Sequence, residues 1–349
     1  MTRRDATSVD VVYLWVDGAD PRWQARRRRA FGDWAARHPA ELAAYGNVAG
    51  RYRDNGELRF NLRALDRFFP DHGHVWIVTD AQVPAWLEAG AGVTIVDHRD
   101  LIPAAALPVF DSGHIESYVH HIPGLAERYF YSNDDTFFGA PVDVAAWLGD
   151  RLTVAMETQP VAPRAQLQAT ETALVNASIL SANWLADRYP GYRHDWRLFS
   201  HAPRPFLRSA MLELEHLAPG LFRDVRSTTF RSWRVPPLVS DLAPRWMMQA
   251  GLASCVTLDP LHLRTGDDAA AVQFRELRSR FGRLPFFCIN DTCDDAAADD
   301  PRLLQVASAL EALLPMPSRF ERQPAGVPRR PANGPASARG RCDVRQPAV

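Results

Sequence analysis

Apolar residues in this chain fall into short unbroken runs, and the stretches between them carry apolar residues at helical spacing. That alternation predicts strands joined by helices. Residues 9–16 read Val-Asp-Val-Val-Tyr-Leu-Trp-Val, a central strand buried on both faces. Residues 74–79 (His-Val-Trp-Ile-Val-Thr) and 93–96 repeat the pattern. Helical spacing is expected over residues 22–37, over 51–65 through Leu58, Leu62 and Leu65, over 170–188, and over 206–217 through Phe206, Leu207, Met211, Leu214 and Leu217. Further helices are expected from Pro84 and over 236–250, 274–281 and 301–314, with strands over 152–157, 255–258 and 284–289. Strands alternating with helices at this spacing predict an α/β fold. It has a Rossmann-like, mostly parallel central sheet flanked by helices, with a helical insertion at about residues 160–280.

One stretch stands out. Residues 128–132 predict a buried strand that runs straight into Asn133-Asp134-Asp135 before apolar residues resume at Phe137. Adjacent carboxylates at a strand end read in two ways. They form an Asx-rich turn, or they hold a divalent cation and a phosphate-bearing ligand at the carboxyl edge of the sheet. Glu116 lies just upstream, in a short helix expected after Ser112, and would join the cluster as base or ligand. Asp17-Gly18 ends the first strand where a nucleotide base or ribose is held in such sheets. Arg59 and Arg63, one helical turn apart, read as surface charge or as a pair presented to a diphosphate. For the helix that carries them, Asp54 or Asn55 is a candidate N-cap.

Composition narrows the chemistry. The 349 residues include 46% apolar and 23% charged, as in a soluble globular protein, and a formal charge of −1 offers no field for nucleic acid. The chain contains no lysine, which excludes a P-loop, a Schiff base and a kinase-type lysine. Cys255, Cys288, Cys293 and Cys342 form no Cys-x-x-Cys pair, so a zinc site is not expected and a reducing, cytoplasmic setting is. Neither a secretory leader nor a membrane-spanning run is read from the sequence. Residues 321–349 are rich in Arg and Pro and are expected to be a disordered tail behind a single catalytic domain, residues 1–320.

Four ordered segments then resemble one family. They are Asp10-Val-Val-Tyr-Leu-Trp-Val-Asp-Gly18; Arg53-Asp-Asn-Gly-Glu-Leu-Arg59 with Ile77-Val-Thr79; Ile115-Glu-Ser117 through Ile122-Pro-Gly-Leu125 to Asn133-Asp-Asp135; and Phe287-Cys-Ile-Asn-Asp291. Together they resemble the blocks of the Stealth proteins, bacterial capsular or exopolysaccharide phosphotransferases similar to the catalytic part of N-acetylglucosamine-1-phosphotransferase. The resemblance implies transfer of a hexose-1-phosphate or N-acetylhexosamine-1-phosphate from a UDP-sugar to a sugar hydroxyl of a polysaccharide, with release of UMP. It implies Glu116, Asp135, His201 and Arg231 as catalytic residues, and Asp17, Gly18, Arg53, Asn55, Arg59 and Asp80 around the nucleotide-sugar. Asp134, Asp135 and Asp291 would hold Mg²⁺ or Mn²⁺. Attachment at the inner membrane beside capsule machinery is a further expectation. His201 and Glu116 both remain candidates for the base. The alternatives are a metal-dependent glycosyltransferase releasing UDP and a polysaccharide-binding scaffold.

Overall fold

The computed structural model describes residues 8–322, apart from 89, 91 and 298. Its strands, in chain order, are β1 (Val9–Leu14), β2 (Val75–Thr79), β3 (Val93–Asp97), β4 (Arg128–Asn133), β5 (Thr136–Phe138) and β6 (Leu152–Pro160). They continue with β7 (Arg197–Phe199), β8 (Arg204–Leu207), β9 (Ala253–Thr257), β10 (Leu261–Arg264) and β11 (Phe286–Asn290). The central sheet runs β3-β2-β1-β4-β8. Its first four strands are parallel, and β8 closes the edge antiparallel to β4. The expected Rossmann-like α/β architecture is therefore present. Every residue of β1 is buried, Asp10 included. That carboxylate accepts from the backbone of His74 and Ala126 and from the Trp76 indole at 2.7–3.0 Å, which offsets the cost of burying a charge.

Two three-stranded sheets flank this core, β10-β11-β5 and β7-β6-β9. The region expected as a helical insertion at about residues 160–280 carries helices and also the strands β7, β8, β9 and β10. The stretch at 206–217 begins as β8, and its helix is Arg208–Leu217. Apolar positions alone could not separate the two, since a buried edge strand and a helix start read alike over four residues. Of the residues following Pro84, 84–88 form turns and a bridge in place of the expected helix. The helix Glu57–Phe68 is preceded by Gly56 at φ 90, a left-handed position that favours glycine, so neither Asp54 nor Asn55 is its N-cap.

Glu321, expected in the tail, is packed into the fold. It is buried and accepts from Arg59 at 2.5 Å and from Arg63 at 2.7 and 3.0 Å. Arg322 donates to the carbonyls of Trp86 and Leu87. The expected tail therefore starts no earlier than residue 323, and 323–349 lie outside the described residues. Arg59 and Arg63 are engaged by this clasp. Removing one partner of a buried pair costs about 3–5 kcal/mol. Truncation after Phe320 is thus expected to lower stability by about that amount in denaturant unfolding, while truncation after Arg322 retains the clasp. Equal midpoints for the two truncations would contradict this.

Candidate active site

The carboxyl ends of β1, β2 and β4 open onto a cavity of about 520 Å³. Asp134 and Asp135 line it from the turn between β4 and β5. Strand register explains what gathers around them. β8 pairs with β4 so that Arg204 lies opposite Tyr131, which carries His201, three residues earlier, to the acidic turn. In the small sheet Thr136 pairs with Cys288, and Cys288 pairs with His262. That row places Cys288 and His262 beside Asp135.

The resulting geometry is short of partners. Asp135 Oδ2 lies 3.6 Å from His201 Nε2 and accepts weakly from the Cys288 thiol at 3.6 Å. The His201 and His262 rings stack at 5.3 Å, nearly parallel. Asp135 Oδ1, His201 Nε2 and His262 Nε2 are all buried without a hydrogen-bond partner. Native interiors rarely leave such atoms unpaired, so three at one point mark a place built for a ligand.

Charge says the same. Burial would raise the Asp135 carboxyl, but His201, His262 and Cys288 outweigh it and hold it below the usual carboxylate range. Asp134 is pushed well up, by burial first and then by Asp135, Glu57 and Asp54. Burial and Asp54 push Glu57 up to about 8, and burial with the neighbouring His201 pulls His262 down to about 4. A crowd of carboxylates that resists ionisation is one that a cation would relieve. Asp135, His201 and Cys288 offer ligand atoms within 4.8 Å of one another. Cysteine spacing gave no sign of this group, because Cys288 meets a histidine only through the fold. The donor set fits a divalent cation, and its imidazole and thiol suit Mn²⁺ or a softer transition metal better than Mg²⁺.

Opposite the acids stand arginines. Arg231 donates to Ser112 Oγ at 2.6 Å and lies 3.6 Å from Asp111, which also caps the helix Ser112–Glu116. Burial, and then the nearby Arg231, pull Arg51 below its usual range, and burial does the same to Arg204. The Nε atoms of Arg51, Arg204 and Arg231 are buried without a hydrogen-bond partner. These under-neutralised guanidiniums favour an anion. Glu116 ends its helix with Oε1 held by the Tyr131 hydroxyl at 2.9 Å, while Oε2 is unpartnered.

Glu116, Asp134, Asp135, His201, Arg231, Arg53 and Asp291 thus line one cavity. The last two are spoken for, since Arg53 donates to Asp291 at 2.5 Å and to the carbonyl of Cys293. Asp291 also accepts from Asn55 and from the Cys293 backbone. It stands with Arg53 and is not part of the Asp135, His201 and Cys288 group. Asp17, Gly18, Asn55, Arg59 and Asp80 do not line the cavity. Asp17 exchanges backbone bonds with Gln82, and Asp80 pairs with Arg26. A side chain at Gly18 would meet the Tyr52 carbonyl at 1.9 Å, so this glycine allows close packing of the loop behind the cavity. Arg51, Arg204, His262, Cys288 and Glu57 had no signal in the sequence as site residues. Each reads there as a strand, turn or helix-face position.

Three segments of the chain match descriptions of one family: Stealth protein conserved region 1 at residues 7–31, conserved region 2 at 51–154 and conserved region 4 at 276–332. The second and third segments of the resemblance fall within region 2, and His201 and Arg231 lie outside all three. The chain is 35% identical over 318 residues to an exopolysaccharide phosphotransferase of Streptomyces coelicolor, spanning 90% of this chain and 52% of that protein. It is 29% identical over 327 residues to the exopolysaccharide phosphotransferase CpsY of Mycobacterium tuberculosis, spanning 92% of this chain and 59% of that one. A capsular polysaccharide phosphotransferase of Actinobacillus pleuropneumoniae is 39% identical over 133 residues, 38% of this chain and 35% of that one. The chain therefore spans only about half the length of the first two. Among solved structures, the galactosyltransferase LgtC, in complex with donor and acceptor sugar analogues, aligns with 88% of this chain and 98% of its own. Its TM-score of 0.42 and 9% identity are too low to carry an argument.

Proposed function

The chain belongs to the Stealth family, and from that premise we propose that it transfers a hexose-1-phosphate or N-acetylhexosamine-1-phosphate from a UDP-sugar to a sugar hydroxyl of a capsular or exopolysaccharide. The observation that carries this reading is the single cavity in which unsatisfied carboxylate and imidazole atoms face unsatisfied guanidiniums. Phosphoryl transfer asks for positioning and charge neutralisation more than for covalent chemistry, and this wall supplies both. The acceptor oxygen attacks the β-phosphorus of the donor, the bond to the bridging oxygen breaks, and UMP leaves. A divalent cation at the acidic turn would neutralise the diphosphate when bound. Asp134 and Asp135 would hold it, Asp291 being engaged by Arg53.

Arg231, with Arg51 and Arg204, stabilises charge on the equatorial oxygens of the transferring phosphoryl group. The acceptor proton goes to His201 or to Glu116, whose free Oε2 lines the same wall. In this reading the donor is a UDP-sugar and the acceptor a polysaccharide. Among the described residues no helix is long and apolar enough to cross a membrane.

Turnover is expected to fall to background after exhaustive EDTA dialysis and to return with Mn²⁺ or Mg²⁺. Full turnover in the dialysed protein with excess chelator would contradict the cation assignment. Nucleotide product analysis tests the reaction itself, since UMP marks phosphotransfer and UDP marks glycosyl transfer.

A further inference from the structure

Tyr45 differs from the other residues of the cavity. It lines the rim, yet it is 65% exposed, and its backbone sits in the left-handed region at φ 58. A bulky non-glycine residue holds that conformation only where its surroundings enforce it, and such residues cluster at functional sites. Here the enforcement is visible. Ala43 donates to the Arg231 carbonyl at 2.9 Å, Leu42 bridges Ser232, and Trp233 donates to the Glu41 carbonyl at 3.1 Å. The Trp233 indole donates to the Ala40 carbonyl at 2.9 Å, and Ala40 is itself left-handed at φ 60. Residues 40–43 are thus zipped along residues 231–233, and Gly46 donates back to the Ala43 carbonyl at 2.8 Å, which closes the turn that holds Tyr45. Among the described residues the Tyr45 phenol has no hydrogen-bond partner. The loop spends its order on displaying a bare aromatic ring beside the arginine that faces the reacting phosphate.

We propose that Tyr45 is the stacking platform for a pyranose ring of the acceptor glycan. This rests on the phosphotransfer reading and assigns the acceptor its place within it. The cavity is also lined by Trp15, Val78, His98 and Val109, and the carboxyl edge of an open α/β sheet is where a nucleotide is taken. A donor seated there directs its diphosphate toward Asp135 and Arg231. The remaining access is the rim, and a polymer end has to arrive from solvent. An aromatic face offers flat apolar area at little entropic cost, which suits the CH face of a sugar ring.

The test measures initial rates with varied donor and with varied acceptor, using oligosaccharides from partial hydrolysis of the producing strain's own exopolysaccharide. Tyr45→Ala is expected to raise the acceptor KM roughly five- to tenfold and leave the donor KM in place. Tyr45→Phe keeps the ring and is expected to restore the wild-type acceptor KM. A rise in donor KM alone, or no change in either, overturns the assignment. If the wild type forms no UMP, the phosphotransfer reading fails on its own. Calorimetric binding of the same oligosaccharides to wild type and Tyr45→Ala then still decides the platform, with equal affinities overturning it.

Discussion

Asp135→Asn is expected to lower kcat roughly 10²- to 10³-fold, the usual loss when one preorganised electrostatic contact is removed from a site. The fold is expected to survive. The structural duty of residue 135 runs through its backbone carbonyl, which accepts from Ile289 at 3.0 Å and is unchanged in the variant. What disappears is a carboxylate charge flanked by His201 and Cys288, with one oxygen unpaired. In this account that charge holds the cation and biases His201. Measured kcat and thermal midpoint separate the two roles. A variant that folds and turns over near the wild-type rate would mean that the acidic turn is structural.

His201→Ala and Arg231→Ala are each expected to lower kcat strongly, and the double variant is expected to lose much less than the product of the two losses. The reason is geometric. His201 arrives between β7 and β8, and Arg231 arrives from beyond the helix Pro219–Val225, yet both line the same cavity. His201 suits the base, since its Nε2 is buried beside Asp135 without a hydrogen-bond partner. Arg231 stays protonated, so its part is electrostatic. Residues that act on one phosphoryl group lose their separate value once either is gone. Multiplicative losses in the cycle would mean independent action and would remove the shared-phosphoryl account.

Much of the scaffold was legible because its strands are buried on both faces. β1, β2 and β4 are largely apolar runs ending in polar turns, and the parallel sheet follows from them. Asp134, Asp135, Glu116, His201 and Arg231 were legible as candidates through the family resemblance, and the fold brings all five to one cavity. The arginines were harder. Arg59 and Arg63 carry the helical spacing of a ligand pair, but their partner is Glu321, some 260 positions away and reachable only through tertiary packing (321 − 59 = 262; 321 − 63 = 258). Arg51 and Arg204 look like ordinary chain charges, and only the burial of their Nε atoms without a hydrogen-bond partner singles them out. His262 and Cys288 owe their place to the pairing of β10 with β11 and β11 with β5. Cross-strand register of that kind leaves no local pattern. The loop carrying Tyr45 reads as a loose connection, since its order comes from residues 231–233.

The most direct test of the central claim follows the phosphorus. A UDP-sugar labelled with ³²P at the β-phosphate is incubated with the protein, a divalent cation and an acceptor oligosaccharide. The account predicts label in the oligosaccharide, resistant to phosphatase as a phosphodiester must be, and unlabelled UMP in equal amount. Label retained in UDP, with an unlabelled sugar added to the acceptor, would contradict it.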